Sequence, residues 1–180
     1  MKIIAFTGLP FSGKSEAVEI ARNMNIPVIR MGDMIWEETK NRGLQLTDKN
    51  VGNVADTMRK QYGMDIWARR TLKKIDKIKI SYQIVIDGIR NIEEVETFKN
   101  VLGKDFLLIA VTVKDEIRYK RAMNRGRQDD SLELDLIKKR DERELSWGLK
   151  DVIEHSDIKI SNEGSLKDFK EKIKEFLKKT

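Results

Sequence analysis

FTGLPFSGKSEA, residues 6–17, follows directly on the apolar run Ile3-Ile4-Ala5. Within it, Gly8 is followed after four residues by Gly13-Lys14-Ser15, the complete spacing of a phosphate-binding loop. Each residue type meets a physical requirement. A chain that wraps a phosphate must turn its backbone N–H groups inward, and glycine permits the dihedrals and the close approach. The helix behind the loop presents free N–H donors and the positive end of its dipole. Lys14 has the reach for the outer phosphates, and the Ser15 hydroxyl can ligate Mg2+. The bland alternative is an ordinary Gly-rich strand–helix turn. Average composition produces this four-residue constraint only about once in a hundred chains of this length. Phosphate binding with Mg2+ is therefore the expectation.

The rest of the composition narrows the setting. A chain of 180 residues is enough for one domain with a sizeable core. Apolar residues make up 39% and charged residues 37%, which describes a modest core under a heavily charged surface. No apolar run approaches the roughly 20 residues of a membrane span, and the N-terminus breaks into glycines too soon for a signal peptide. The absence of cysteine removes disulfides, thiolate zinc sites and cysteine nucleophiles. The cytoplasm is the expected compartment, with no membrane partner. Net charge is +6, with both signs interspersed, so a solvated surface is favoured over a nucleic-acid patch.

Short β-rich runs alternate with amphipathic segments. Strands are expected over 2–6, 28–31, 83–87, 107–113 and 157–161. Helices are expected over 14–24, 33–41, 48–61, 64–78, 92–102, 115–125, 132–146 and 166–178. Several strands are apolar nearly throughout, as strands buried on both faces must be. Thr47 and Ser165 stand as N-caps. This alternation predicts an α/β fold, a mostly parallel sheet covered by helices on both faces, with ligands beyond the C-terminal strand ends.

Each strand end carries polar or glycine-bearing residues. Asp87 closes the strand "IVID", where a carboxylate can hold a Mg2+-bound water or orient an acceptor hydroxyl. The plainer reading is a turn aspartate before Gly88. Arg90 can grip an anionic acceptor or be a surface arginine. Arg118, Arg121 and Arg125 share one helix face, and Arg127 follows Gly126. Four guanidiniums together need an anion among them. Asp129 and Asp130 can supply it locally. Phosphoryl transfer gives a further reason, since cationic donors then close over developing charge as a lid. Arg140 and Arg143 either face the same site or pair with Asp141, Glu142 and Glu144. Residues 33–80 form a helical insertion in which Arg59 is the candidate acceptor contact. Trp36, Trp67 and Trp147 read first as packing residues, with base stacking as the alternative.

Taken together, "GLPFSGKS", "MGDMIWEE", "VIDGIR", "RAMNRGRQDD", "RDERELSWG" and "SDIKISNEGSLKDF" resemble, in this order and over the whole chain, the adenylate-kinase-like branch of P-loop kinases. Within that branch the likeness is to an archaeal family of adenylate-kinase-related, dephospho-CoA-kinase-like proteins. The resemblance implies a single three-layer domain over 1–180, a five-stranded parallel sheet of order 2-3-1-4-5, an acceptor-binding helical insertion at 33–80 and a short arginine lid at 118–135. It implies ATP on Gly8, Leu9, Pro10, Phe11, Ser12, Gly13, Lys14, Ser15 and Glu16, with the backbone near Asn162 and Gly164 against the adenine. It implies Mg2+ near Ser15 and Asp87, and catalytic roles for Lys14, Asp87, Arg121, Arg125 and Arg127. The acceptor would meet Gly32, Asp33, Trp36, Arg59, Gly88 and Arg90. Two positions depart from the branch. Phe11 replaces a common loop glycine, and Trp36 replaces the arginine that adenylate kinases carry after "GD", which argues against AMP.

Two functions follow. One is a kinase that moves the γ-phosphate of ATP to a nucleotide or nucleotide-like acceptor. The other is an ATP-hydrolysing switch or RNA-processing accessory built on the same scaffold. The arginines on the acceptor side favour the first.

Overall fold

β1 (Lys2–Thr7) alternates its side chains between two apolar layers. Ile3 and Ala5 face one core, Ile4 and Phe6 the other. A strand with no solvent face belongs at the centre of a covered sheet, and β1 lies there. In a computed structural model, residues 1–78, 81–125 and 130–180 are described, the side chains of 124–133 excepted. The sheet has the order β2-β3-β1-β4-β5, with β2 (Val28–Arg30), β3 (Gln83–Asp87), β4 (Phe106–Thr112) and β5 (Ile158–Ser161). Every neighbouring pair is parallel. The expected strand order, 2-3-1-4-5, is therefore the observed one.

One face is covered by α1 (Lys14–Asn23) and α9 (Leu166–Lys179), which bring Ala17, Val18, Phe169 and Ile173 onto Val85, Ile109 and Val111. The other face takes α2 (Met31–Asn41), α3 (Asp48–Tyr62), α4 (Ile66–Ile75) and α5 (Ile92–Leu102). Trp67, Phe98 and Met58 fill that layer against Ile84, Ile86 and Leu108. Phe98 and Phe106 stack with ring centroids 5.4 Å apart. The chain then runs through α6 (Asp115–Arg125), α7 (Asp130–Ser146) and α8 (Leu149–Glu154) before entering β5.

Three boundaries differ from expectation in ways that bear on the site. Helix α2 begins at Met31, not Asp33, directly out of β2 and without a side-chain cap. Asp33 lies in its first turn, where a carboxylate complements the helix dipole. Helix α4 is shorter than expected, ending at Ile75. Helix α8 was not expected at all: six residues are too few to show a period, yet Leu149 and Val152 are fully buried. The two sequence caps are present. Thr47 Oγ1 accepts from Asn50 N–H, and Ser165 Oγ accepts from Asp168 N–H.

Because the connections leaving β1 and β3 run to opposite sides of the sheet, a crevice opens beyond their C-terminal ends. The loop 8–13, Asp87 and the start of α2 all meet there.

Candidate functional site

The loop between β1 and α1 is fixed from below. A Cβ on Gly8, whose φ is 141°, would collide with the Val111 carbonyl. A Cβ on Gly13, φ 108°, would collide with the Asn162 amide. That amide donates to Ser12 O at 2.8 Å, and the Asn162 N–H donates to Thr112 O. The end of β5 thus struts the loop. Phe11 takes φ 61°, the left-handed region that a glycine there would adopt without strain. Removing the strut, Asn162→Ala, should lower stability by about 1–2 kcal/mol. A denaturant titration would show a lower midpoint with an unchanged slope.

Lys14 bends back over this loop. Its Nζ donates to Gly8 O at 2.5 Å and to Leu9 O at 2.9 Å, and the side chain is buried. Burial, and then the Arg90 guanidinium, lower the Lys14 ammonium to about 7. Ser15 is exposed at the first turn of α1.

In front of the loop lies a cleft of about 930 Å³. Its walls bring together Pro10, Phe11, Gly13, Lys14, Ser15, Glu16, Gly32, Trp36, Arg59, Asp87, Gly88, Arg90, Arg121 and Asn162 from the expected set. Gly8, Leu9 and Ser12 belong to the loop but do not line the cleft. Asp33 faces solvent and lies 3.7 Å from Arg30, and Gly164 lies outside the walls. Asn162 makes two contacts that the sequence does not reveal. Its amide is spent on the loop, and its carbonyl accepts from Arg121 Nη2 at 2.8 Å. Arg121 Nη1 is buried without a hydrogen-bond partner among the described residues. Arg125 is described without its side chain and Arg127 lies outside the described residues, so neither lid position can be placed.

Arg118 does not join the arginine face toward the cleft. It is buried, donates to Pro10 O at 3.0 Å, and is held by Asp115 and Asp141 at 2.7 Å each. Its anions are the carboxylates of α6 and α7, so it clamps the back of the phosphate loop.

The acceptor-side arginines have carboxylate partners. Arg59 Nη2 donates to Glu94 Oε1 at 3.1 Å, and its guanidinium lies 4.3 Å from the Trp147 ring centroid. Its Nε and Nη1 are buried and without hydrogen-bond partners among the described residues. Arg90 Nη1 donates to Ile89 O, and Arg90 Nε lies 2.9 Å from Glu144 Oε2. Glu144 also accepts from Arg140 Nε at 2.9 Å. Burial alone would raise the Glu144 carboxyl. Arg90, Arg140 and Lys14 outweigh it and hold the group down at about 2.

Asp87 Oδ1 is buried with no hydrogen-bond partner among the described residues, and the nearest cation to Oδ2 is Arg30 Nε at 4.0 Å. An unspent carboxylate oxygen and an exposed serine hydroxyl, on two residues that line one cleft beside a phosphate loop, are donors of the kind that Mg2+ takes. No cluster of three or more His, Cys, Asp or Glu side chains occurs among the described residues. Any Mg2+ would therefore need phosphate and water as its remaining ligands.

The expectations missed four participants: Glu144, Trp147, Asp48 and Arg30 all line the cleft. Arg140 and Arg143 do line it while also pairing with acids. Arg143 reaches Asp48 at 2.9 and 3.0 Å, which ties α7 to the first turn of α3. "RDEREL" was the only local hint of this acid–base lattice. Trp36 is 42% exposed under the Arg30 guanidinium, whereas Trp67 is a core residue with no exposure.

A family model described as an AAA domain matches residues 7–135. UPF0200 proteins of Methanosarcina acetivorans and Methanosarcina barkeri are 48% and 49% identical over 177 residues. That alignment takes in 98% of this chain and 94% and 95% of theirs. The chain belongs to the UPF0200 family. A longer member, a UPF0200/UPF0201 protein of Archaeoglobus fulgidus, is 48% identical over 180 residues, and the chain spans 56% of its length.

Among solved structures, this UPF0200 chain is similar to a gluconokinase from Sinorhizobium meliloti. The TM-score is 0.60 at 14% identity, covering 99% of this chain and 92% of that one. It is also similar to a shikimate kinase from Aquifex aeolicus, with a TM-score of 0.51 at 20% identity over 98% and 96% of the two chains. At these identities the likeness is one of fold, and the fold is that of P-loop kinases. No helix among the described residues of the UPF0200 chain is long and apolar enough to cross a membrane.

Proposed function

We propose that this UPF0200 protein is a Mg2+-dependent phosphotransferase that moves the γ-phosphate of ATP to a nucleotide-like small molecule. The observation that carries this reading is the meeting of three features in one cleft. They are a phosphate loop with a buried lysine, Ser15 and an Asp87 with an unspent oxygen in the same walls, and Arg121, also in those walls, with a nitrogen that has no partner among the described residues. ATP would lie with its phosphates on the N–H groups of loop 8–13 and its base toward the Asn162 end of β5. Mg2+ would be held by Ser15 and Asp87, and when bound it neutralises charge on the β- and γ-phosphate oxygens. Lys14 and Arg121 would meet the charge that spreads over the transferring group. The acceptor would enter from the insertion at 33–80, between Trp36, Arg59, Gly88 and Arg90. The arginine segment at 118–135 would close over the exchange.

The test is a phosphate-transfer screen with Mg·ATP over nucleosides, nucleotides and coenzyme precursors, with free phosphate measured alongside. ADP formation that depends on an acceptor is expected. Free phosphate released at the same rate with and without acceptors would instead indicate an ATP-hydrolysing switch. Arg121→Ala should lower turnover about tenfold, with less effect on ATP affinity, because its spare donor is aimed at transition-state charge.

A further inference from the structure

The Arg118 guanidinium makes five hydrogen bonds, as many as it has N–H groups. Nη1 donates to Pro10 O at 3.0 Å and to Asp141 Oδ1 at 3.1 Å. Nη2 donates to Asp115 Oδ1 and Asp141 Oδ2 at 2.7 Å each, and Nε donates to Asp115 Oδ1 at 3.1 Å. The two carboxylates balance the charge and fix the plane of the fork. The remaining donor goes to a backbone carbonyl of the phosphate loop. Arg118 is buried and does not line the cleft, whereas Pro10 and Phe11 do.

The consequence lies at the other end of that peptide. The bond is trans, so its C=O and N–H point in opposite directions. A Pro10 carbonyl drawn back to Arg118 turns the Phe11 N–H the other way. Ser12 O is likewise drawn to the Asn162 amide at 2.8 Å, which turns the Gly13 N–H away from Asn162. Between these two, the Ser12 N–H donates to Leu9 O at 3.2 Å. The Phe11 and Gly13 N–H groups make no backbone hydrogen bond among the described residues. With Phe11 at a left-handed φ of 61°, the loop has the concave form in which backbone N–H groups converge on an anion.

We propose that Arg118 is a positioning residue for phosphate binding: through Pro10 O it aims the Phe11 N–H at a phosphate oxygen of the nucleotide, as Asn162 aims that of Gly13. This rests on the phosphate-loop part of the reading above. Arg118 itself touches neither nucleotide nor acceptor. Both anchors hang on one helix, because Arg121, one turn along α6, donates to Asn162 O at 2.8 Å. One N–H held ready for an anion contributes about tenfold or more in affinity.

The experiment follows the backbone amide resonances of Phe11 and Gly13 in the full chain as Mg·ATP is added, with calorimetry alongside. An amide proton that takes up a hydrogen bond to phosphate moves downfield. In wild type both should move. Arg118→Lys keeps a cation for Asp115 and Asp141, but a single ammonium held between two carboxylates leaves Pro10 O without its donor. In that variant the Phe11 movement should be lost, the Gly13 movement kept, and ATP affinity lowered about tenfold. An arginine with a merely structural role would disturb both amides or neither. A wild-type Phe11 response in folded Arg118→Lys overturns the proposal, and so does loss of both responses together. If that variant does not fold, Arg118→Met with Asp141→Asn removes both buried charges, and the same readings decide. Movement of Gly13 alone in wild type overturns the proposal and leaves the loop assignment standing. If neither amide of wild type moves, the phosphate-loop reading falls, and this inference with it.

Discussion

Lys14→Ala is expected to weaken ATP at least a hundredfold while leaving the protein folded. The Lys14 ammonium makes two short contacts, both to loop carbonyls that border the phosphate cradle. Charge-assisted bonds contribute about 1.5–3 kcal/mol each, so losing even one or two phosphate contacts reaches this factor. The titration of Lys14 supplies a second readout. Burial and Arg90 place it at about 7 without ligand, and anionic phosphates must raise it. Affinity is therefore full below about pH 7 and declines as pH climbs from there toward the ligand-bound value. Calorimetry at pH 7 in buffers of different ionisation enthalpy should show uptake of about half a proton on ATP binding, absent in Lys14→Ala. Stability runs the other way. The folded value lies below the ordinary lysine value of 10.5, so the unfolded chain binds more protons between about 7 and 10.5, and stability without ATP rises across that window. The variant should lose that rise. Unchanged ATP affinity in a folded Lys14→Ala protein would end the phosphate-loop assignment.

The legible parts of this molecule are those whose cause is local. The loop 8–13 is a spacing, the two-sided burial of β1 is an apolar run, and the caps at Thr47 and Ser165 are single residues at helix starts. The strand order needed the resemblance, because nothing in a strand's own residues says which strand it pairs with. What could not be read is where distant charges meet. The 3.6-residue period places Arg118 on a face, but only the packing of α6 on α7 decides that Asp141, 23 positions away, neutralises it. Asp48 and Arg143 are 95 positions apart. Glu144 reads as one acid in a run of alternating charge, yet the packing of α7 turns it inward between Arg90 and Arg140. The same distance hides the pairing of Arg90 with Glu144, 54 positions away. The helix expected from Asp33 starts two residues earlier, at the buried Met31, directly at the end of β2.

Glu94→Ala is expected to be the most destabilising single change at the cleft, by about 3–5 kcal/mol. Glu94 has no exposed surface, accepts from Arg59 Nη2 at 3.1 Å and accepts from Arg90 N–H at 2.7 Å. Its own N–H is capped by Asn91 Oδ1 at 2.8 Å, so one residue fixes the start of α5, the turn after β3 and the insertion helix α3 together. Truncation leaves Arg59 a buried cation with no carboxylate, and two of its nitrogens already lack partners. For a chain of this size the loss corresponds to roughly 10 °C in Tm. The charge, not the packing, is the cause, and a double variant separates them. Glu94→Leu with Arg59→Met replaces both ions by apolar groups of similar bulk and should recover most of the stability, since a buried ion pair contributes little over a well-packed apolar pair. Acceptor-dependent turnover should not recover with it, because the Arg59 donors proposed to meet the acceptor are gone. A shift under 1 kcal/mol for Glu94→Ala would show that Arg59 finds water or another anion. Full turnover in the folded double variant would show that Arg59 never touches the acceptor.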